Sequence, residues 1–446
     1  MHIRSRIPAL AALLALSTGG GSAALAQETA PKTTLELGGE FRLRWEDWDN
    51  NRDFNDASTA AASDSQVNWR FRGRAWAKWN PTPDLEIMAG VTTEPRKITR
   101  PDVSKNYREV FFDVLYLDYK FNQDWSIKAG RQNLVLGEGF IVFEGSPRDG
   151  SRCLYLNAID VTRNFGNSKL EFIAISDPRR EKYLPVLNQA PYPPPNLIEW
   201  DEQALGAYYT NKELKDTTLE GYYFYKAEKN DYRHDATGQP DRSLSTLGAH
   251  AVVGLGGGWS VNGEFATQRG RQDASAYIAN DESKGIAACG GYAKVKKAFD
   301  ASWKPTVSLG YIGLSGDDPT TSKIEGWDPL FSRWPKWSEL FVVTQINEKG
   351  VSYWTNTAMW ELEARCSPAN FLDLRATYYK MSANQTVTRT NKNRGDLWEV
   401  RADYRIGPSV KGHLVYEHLA PGDFYVGQDS AFFLRFEIGY TFKAKW

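Results

Sequence analysis

The stretch "VNWRFRGRAWAKWN", residues 67–80, decides the fold. Basic side chains stand at Arg70, Arg72, Arg74 and Lys78, and Trp69, Phe71, Ala75, Ala77 and Trp79 fall between them. A repeat of two belongs to extended chain, whose successive Cβ atoms point to opposite faces. The segment therefore has one apolar face and one strongly cationic face. A soluble sandwich would pack the apolar face and wet the other. A membrane barrel would set the apolar face against lipid and the arginines against a watery interior.

The bulk numbers narrow this choice. The chain has 446 residues, with 54 Lys plus Arg against 55 Asp plus Glu. Global charge thus names no partner, and any electrostatic argument must rest on local clusters. Mean hydropathy is −0.53, and no apolar run approaches the ~18–20 residues of a membrane helix. That excludes helical spanning but not a barrel, whose strands are only half apolar. The 16 Trp and 22 Tyr suit interfacial girdles. At the start, "MHIRSRIPALAALLALSTGGGSAALAQE" has Arg4 and Arg6, an apolar Ile7–Leu16, and Ala24-Leu25-Ala26. It reads as a signal peptide over 1–26, leaving 27–446 as one domain destined beyond the inner membrane. Cys153, Cys289 and Cys366 are too widely spaced for a disulfide framework or a zinc pattern.

The two-residue pattern recurs along the chain. In 34–46, Leu35, Leu37, Phe41, Leu43 and Trp45 alternate with Glu36, Glu40, Arg42, Arg44 and Glu46. The closing "AFFLRFEIGYTFKAKW" separates Phe432, Leu434, Phe436, Ile438, Tyr440 and Phe442 from Arg435, Glu437, Thr441, Lys443 and Lys445. Strands are expected near 34–46, 66–79, 84–95, 110–121, 125–136, 157–165, 169–177, 203–212, 217–228, 245–254, 258–270, 286–299, 303–314, 352–366, 370–382, 395–406, 410–420 and 431–446. Short turns rich in Gly, Pro, Asn, Asp and Ser alternate with long connections throughout. Tight periplasmic turns and longer extracellular loops are built into an outer-membrane barrel, whereas a sandwich has no reason to sort its loops by side. The expectation is an all-β, transmembrane, antiparallel up-and-down barrel of about 18 strands in the outer membrane of a Gram-negative bacterium, with no separate plug domain. An Arg at the lipid midplane costs ~2–4 kcal/mol, so the arginines must face the lumen.

Arg42, Arg44, Arg70, Arg72 and Arg74 then lie on adjacent inward rows. Closure brings Arg435 beside them, and the neighbouring strands add Arg401, Arg405 and Lys411. These side chains could form a cationic track for an anionic solute, since Arg suits bidentate carboxylate contacts. Alternatively they pair with Glu36, Glu40, Glu86, Glu94, Glu399, Asp403 and Glu437 and brace the wall. Both readings stand at this point. Gly137 and Gly139 permit a sharp bend, which would either fold a loop inward or turn it over the surface. The basic loop 96–109, with Arg96, Lys97, Arg100, Lys105 and Arg108, could gather polyanions or contact lipopolysaccharide phosphates. "YPPPN" in the loop 178–202 is stiff. "WDPLFSRWPKWSELF" in the loop 315–351 carries five large aromatics, which points to a packed lid, a partner surface or a sugar-stacking platform. The histidines at 2, 234, 250, 413 and 418 have no metal spacing, and no G-x-S-x-G elbow occurs. No enzyme activity, cofactor, metal or nucleic-acid partner is expected; an outer-membrane enzyme or adhesion barrel is the reading from another class.

Leu115 to Tyr119 ahead of a short turn, Gly130-Arg131-Gln132 ending the next strand, and "GYIGLSGDDP" leading into the aromatic loop resemble the alginate-export-type outer-membrane porins. The resemblance is most specific over 110–180 and 303–335. It implies a barrel with an electropositive constriction that lets an acidic polysaccharide leave the periplasm without ATP or cofactor. It also implies that Arg131 joins the inward arginines in facing polymer carboxylates. Strict alternation from Trp125 and Ile127 would turn Arg131 toward lipid, so a bulge at Gly130 is expected to re-aim it. The partners implied are outer-membrane lipid and lipopolysaccharide, an anionic saccharide or polysaccharide, and a periplasmic export partner at the turns. The other channel reading is a general or differently selective porin, passing small acidic sugars or other solutes, with arginines braced by carboxylates.

Overall fold

The computed structural model describes residues 33–57, 64–100, 110–144, 156–185, 187–188, 200–229, 240–275, 281–345, 348, 353–386 and 391–446. The segment 1–26 read as a signal peptide, Lys105, Arg108, the "YPPPN" stretch, Cys153, His2 and His234 lie outside these residues. In chain order the strands are β1 (Thr34–Asp49), β2 (Gln66–Thr82), β3 (Leu85–Thr93), β4 (Arg96–Arg100), β5 (Phe111–Lys120), β6 (Trp125–Gln132), β7 (Leu134–Val135) and β8 (Phe143–Glu144). Next come β9 (Leu156–Phe165), β10 (Ser168–Asp177), β11 (Asp201–Asn211), β12 (Thr217–Lys229), β13 (Arg242–Gly256), β14 (Trp259–Gln272), β15 (Lys284–Ala298) and β16 (Thr306–Leu314). The series ends with β17 (Lys323–Ile324), β18 (Thr357–Ala369), β19 (Leu372–Ser382), β20 (Asn393–Ile406), β21 (Val410–Pro421) and β22 (Ala431–Lys445), and a single turn of helix, α1 (Phe341–Thr344), precedes β18.

Eighteen of these strands form the wall. Each pairs antiparallel with its sequence neighbour in the wall, and β22 pairs with β1 to close the cylinder. The remaining four are short: β4 extends the pairing of β2, β17 adds two residues beside β15, and β7 and β8 form a hairpin of their own. Closure leaves no sheet edge, which a membrane requires because lipid offers no hydrogen bonds to free backbone groups. The start of β1 and the residue after β22 are joined as well: Leu35 N–H donates to the Trp446 carbonyl at 3.0 Å, and Trp446 N–H donates to the Leu35 carbonyl at 2.9 Å.

The sidedness follows the alternation. Phe41 is 63% exposed while Arg42 beside it is 5% exposed; Phe71 and Arg72 differ likewise, at 47% and 4%. Leu205, Leu247, Phe265 and Trp360 complete an exposed apolar exterior. At two strand ends the structure departs furthest from the expected bounds. The strand placed at 125–136 ends at Gln132, and the one placed at 352–366 begins at Thr357. In both places the apolar residues beyond the strand leave the wall and enter the barrel.

Those entering segments build a core inside the cylinder. Leu136, Phe140, Ile141 and Val142 from one connection, and Trp327, Leu330, Phe331, Leu340, Phe341 and Trp354 from another, pack against inward-facing Ile173, Ile175, Tyr208 and Phe224 of the wall. The inner face of β10–β12 thus receives a loop, with Ile173, Ile175, Tyr208 and Phe224 packed against its apolar residues and the buried Glu202, Lys226 and Glu228 paired beside them. The long aromatic connection is neither a lid nor an outward surface over these residues; it is an interior filling.

Candidate functional site

The arginines first met in the sequence gather at the seam. Across β1 and β2, Arg42 stands opposite Arg72 and Arg44 opposite Arg70, and like charges so placed repel. Carboxylates resolve the conflict. On the other side of β1, Glu437 stands opposite Arg44 and Arg435 opposite Glu46. Arg44 Nη2 lies 2.6 Å from Glu437, and Arg435 and Arg70 lie 2.7 and 3.1 Å from Glu46. Glu94, just past β3, sits 2.8 Å from Arg42 and 3.1 Å from Arg70, while Glu40 is 3.1 Å from Arg72. Arg74 pairs with Asp113. Arg42, Arg44, Arg70, Arg72 and Arg435 are all buried. The seam is a buried ion lattice that braces the wall, since buried charges are tolerated only when paired and hydrogen-bonded.

The open cavity lies elsewhere. A cavity of about 830 Å³ is lined by residues of β13–β22 and by Glu138. Its lining holds eight lysines and arginines (Lys294, Lys296, Lys304, Arg365, Arg375, Arg401, Arg405 and Lys411) against five carboxylates (Glu138, Glu363, Asp373, Asp403 and Glu437). Several are paired: Arg365 with Glu363 at 2.7 Å, Arg375 with Glu399 at 2.5 Å and Arg401 with Asp403 at 2.8 Å. Lys296, Lys304, Arg405 and Lys411 make no ion pair among the described residues. These four sit near the short turns, on the side where an outer-membrane barrel meets the periplasm.

Two connections close the far side of this cavity. Gly137 and Gly139 take left-handed φ of 54° and 72°. A Cβ on Gly137 would come 2.7 Å from the Tyr208 hydroxyl, so only glycine lets the backbone come this close to the wall. Glu138 between them accepts from Asn262 at 2.5 Å and from the Tyr292 hydroxyl at 3.2 Å. Trp334 Nε1 donates to the Gly139 carbonyl at 3.1 Å, and Lys336 Nζ donates to the Glu138 carbonyl at 2.6 Å. The aromatic connection is moored in turn. Glu417 of β21 accepts from the Ser338 hydroxyl and from the N–H groups of Glu339 and Leu340 at 2.9 and 3.0 Å. Arg333 bonds Glu202 at 2.9 Å, and Lys226 donates to the Leu330 carbonyl at 3.1 Å. Between the two connections and the wall lies a second cavity of about 270 Å³, lined by Trp334, Lys336, Trp337, Tyr292 and Tyr379. It shares Glu138, Lys294, Glu363, Arg365 and Arg375 with the first. Burial lowers the Lys336 ammonium to about 8, against which the Glu138 and Glu264 carboxylates pull upward.

Of the expected path residues, Arg401 and Arg405 line the open cavity, while the seam arginines are locked in the lattice. Arg131 is buried in protein contacts, donating to Asn157 at 3.1 Å, the Phe112 carbonyl at 3.0 Å and Glu181 at 2.6 Å. The ladder passes through Gly130 in continuous register, with Tyr116 opposite Gly130 and Leu115 opposite Arg131. The expected bulge is absent; Gly130 instead takes a φ of 127° that an L side chain would resist. Sequence reasoning missed Lys294, Lys296, Lys304, Arg365 and Arg375, although "YAKVKK", "ELEAR" and "DLRATYYK" carry the same two-residue signal for all but Lys304. It had no means of finding Lys336, whose position depends on how a long connection folds. Of the two inward histidines, His250 bonds Glu220 at 2.6 Å and Asn262 at 2.8 Å, and His413 lies 3.6 Å from Glu437.

No curated protein sequence matches the chain. Among solved structures it is similar to the outer membrane protein OpdK from Pseudomonas aeruginosa, at 14% identity and a TM-score of 0.58 over 92% of this chain and 99% of that one. It is similar to a BenF-like porin from Pseudomonas fluorescens Pf-5, at 13% identity and a TM-score of 0.56 over 92% and 99%. A third is Pseudomonas aeruginosa OccK2 (OpdF), solved with glucuronate, at 12% identity and a TM-score of 0.55 over 92% and 96%. At these identities the likeness is one of fold, that of an outer-membrane channel barrel. A family model described as alginate export matches residues 199–436, which contain the 303–335 stretch of the resemblance but not 110–180. With more than half its length matched, and with an eighteen-strand barrel around an open cavity, the chain belongs to the alginate-export family of outer-membrane porins.

Proposed function

We propose that the protein is a passive channel for acidic saccharides, which it draws through the basic cavity on β15–β21 and not along the seam. The observation that carries this reading is the set of cations that make no ion pair among the described residues, Lys296, Lys304, Arg405 and Lys411, around a cavity whose lining has more basic than acidic groups. Fixed positive charge beside a narrow water path lowers the energy of an anion there and raises that of a cation. The seam arginines contribute little, since each already faces a carboxylate. The family's description supports the substrate class, because alginate is a polymer of uronic acids. The glucuronate bound to OccK2 is a uronate on a barrel of similar fold. The two inward connections narrow the path, so a polymer would pass as one extended chain.

Reversal potentials in a salt gradient across planar bilayers test the reading. The wild-type channel should prefer chloride to potassium, and the combined change Lys296→Gln, Arg405→Gln and Lys411→Gln should abolish that preference. A cation-preferring wild-type channel would sink it.

A further inference from the structure

We infer that the smaller cavity is a subsite for one uronate unit, with the sugar ring stacked on the indoles of Trp334 and Trp337 and its carboxylate on Lys336. The inference rests on the acidic-saccharide reading and adds a place of binding to it. Lys336 Nζ lies 5.3, 5.5 and 5.9 Å from the ring centres of Tyr292, Trp334 and Trp337. Among the described residues its only hydrogen-bond acceptor is the Glu138 carbonyl, and it makes no salt bridge. A purely structural ammonium in the same interior is treated differently: Lys226 is neutralised by Glu202 at 3.1 Å and Glu228 at 2.7 Å. An ammonium three-sidedly enclosed by aromatic faces, with N–H bonds to spare, lacks one carboxylate partner.

The geometry supplies the rest of a sugar site. Pyranose rings present an apolar C–H face, which suits an indole, and an equatorial rim of hydroxyls, which suits charged side chains. Trp334 is held on one face by Phe143, with centroids 3.9 Å apart and planes 13° apart. Trp337 is fixed edge-to-face against Trp354 at 4.9 Å. Both platforms are therefore ordered before a ligand arrives, which lowers the entropic cost of binding.

The test is block of single-channel current in the full-length reconstituted protein by D-glucuronate, D-glucose and acetate. Glucuronate should dwell longer than either of the others. Lys336→Met should shorten its dwell about tenfold, as expected for a lost charged hydrogen bond, and leave glucose unchanged; Lys336→Arg should keep it long. Trp337→Leu should shorten both sugars and spare acetate, and if that variant does not fold the lysine pair decides alone. An anion-preferring channel whose glucuronate block is the same in Lys336→Met overturns the subsite while leaving the channel reading intact. A cation-preferring wild-type channel overturns both.

Discussion

Arg435 and Glu46 meet 2.7 Å apart across the line where the last strand closes on the first. They are 389 positions apart in sequence. Arg435 also reaches Glu339 of the interior connection, 2.8 Å from its second carboxylate oxygen. One guanidinium thus joins barrel closure to the seating of the filling. Removing one partner of a buried pair leaves an uncompensated charge and costs about 3–5 kcal/mol. Glu46→Gln should therefore lower unfolding stability by an amount of that order in chemical denaturation, because Arg435 and Arg70 both lose their carboxylate partner there.

If the seam is bracing and the β15–β21 cavity is the path, the two sets of cations separate experimentally. Arg72→Gln should destabilise the barrel with little change in reversal potential. Lys411→Gln, at an exposed position on the cavity wall, should shift the reversal potential and leave stability within about 0.5 kcal/mol of wild type. The opposite assignment of effects would return the path to the seam.

The Glu417 carboxylate takes three donors from residues 338–340. Glu417→Ala strands those donors, each worth roughly 1–3 kcal/mol when buried and unmet. The moored segment should loosen, and single-channel conductance should rise and become noisier. Unchanged conductance would show that the segment is held by its aromatic packing alone.

Lys336 offers a pH handle outside the wall strands. With its ammonium lowered to about 8, it is charged below that pH and neutral above it, where an ordinary lysine stays charged to about 10.4. Raising pH through 8 removes one positive charge from the path, so anion preference should fall between pH 7 and 9. Lys336→Arg, which cannot lose its proton in that range, should abolish the pH dependence.

Gly137 gives a backbone test. Its φ of 54° and the 2.7 Å approach to Tyr208 leave no room for a methyl group. Gly137→Ala should displace the 134–144 segment, cost at least about 1 kcal/mol and widen the path, which a larger conductance would report.

The alternation of residues such as Phe41 with Arg42, and Phe71 with Arg72, determined strand number, sidedness and the closed barrel. Side-chain direction in extended chain is local, and the price of a charge in lipid permits only one orientation. Which inward cations meet water was beyond that signal. Arg42 and Arg405 look alike in sequence, yet one is paired with Glu94 just past β3 and the other lines a cavity with no ion-pair partner among the described residues. Register between strands and the course of two long connections decide this, because pairing is set by neighbours tens or hundreds of residues away. The same holds for the Trp334–Lys336–Trp337 cluster, whose aromatics announced a packed segment while its seat inside the barrel depended on tertiary contacts with β10–β12 and β21.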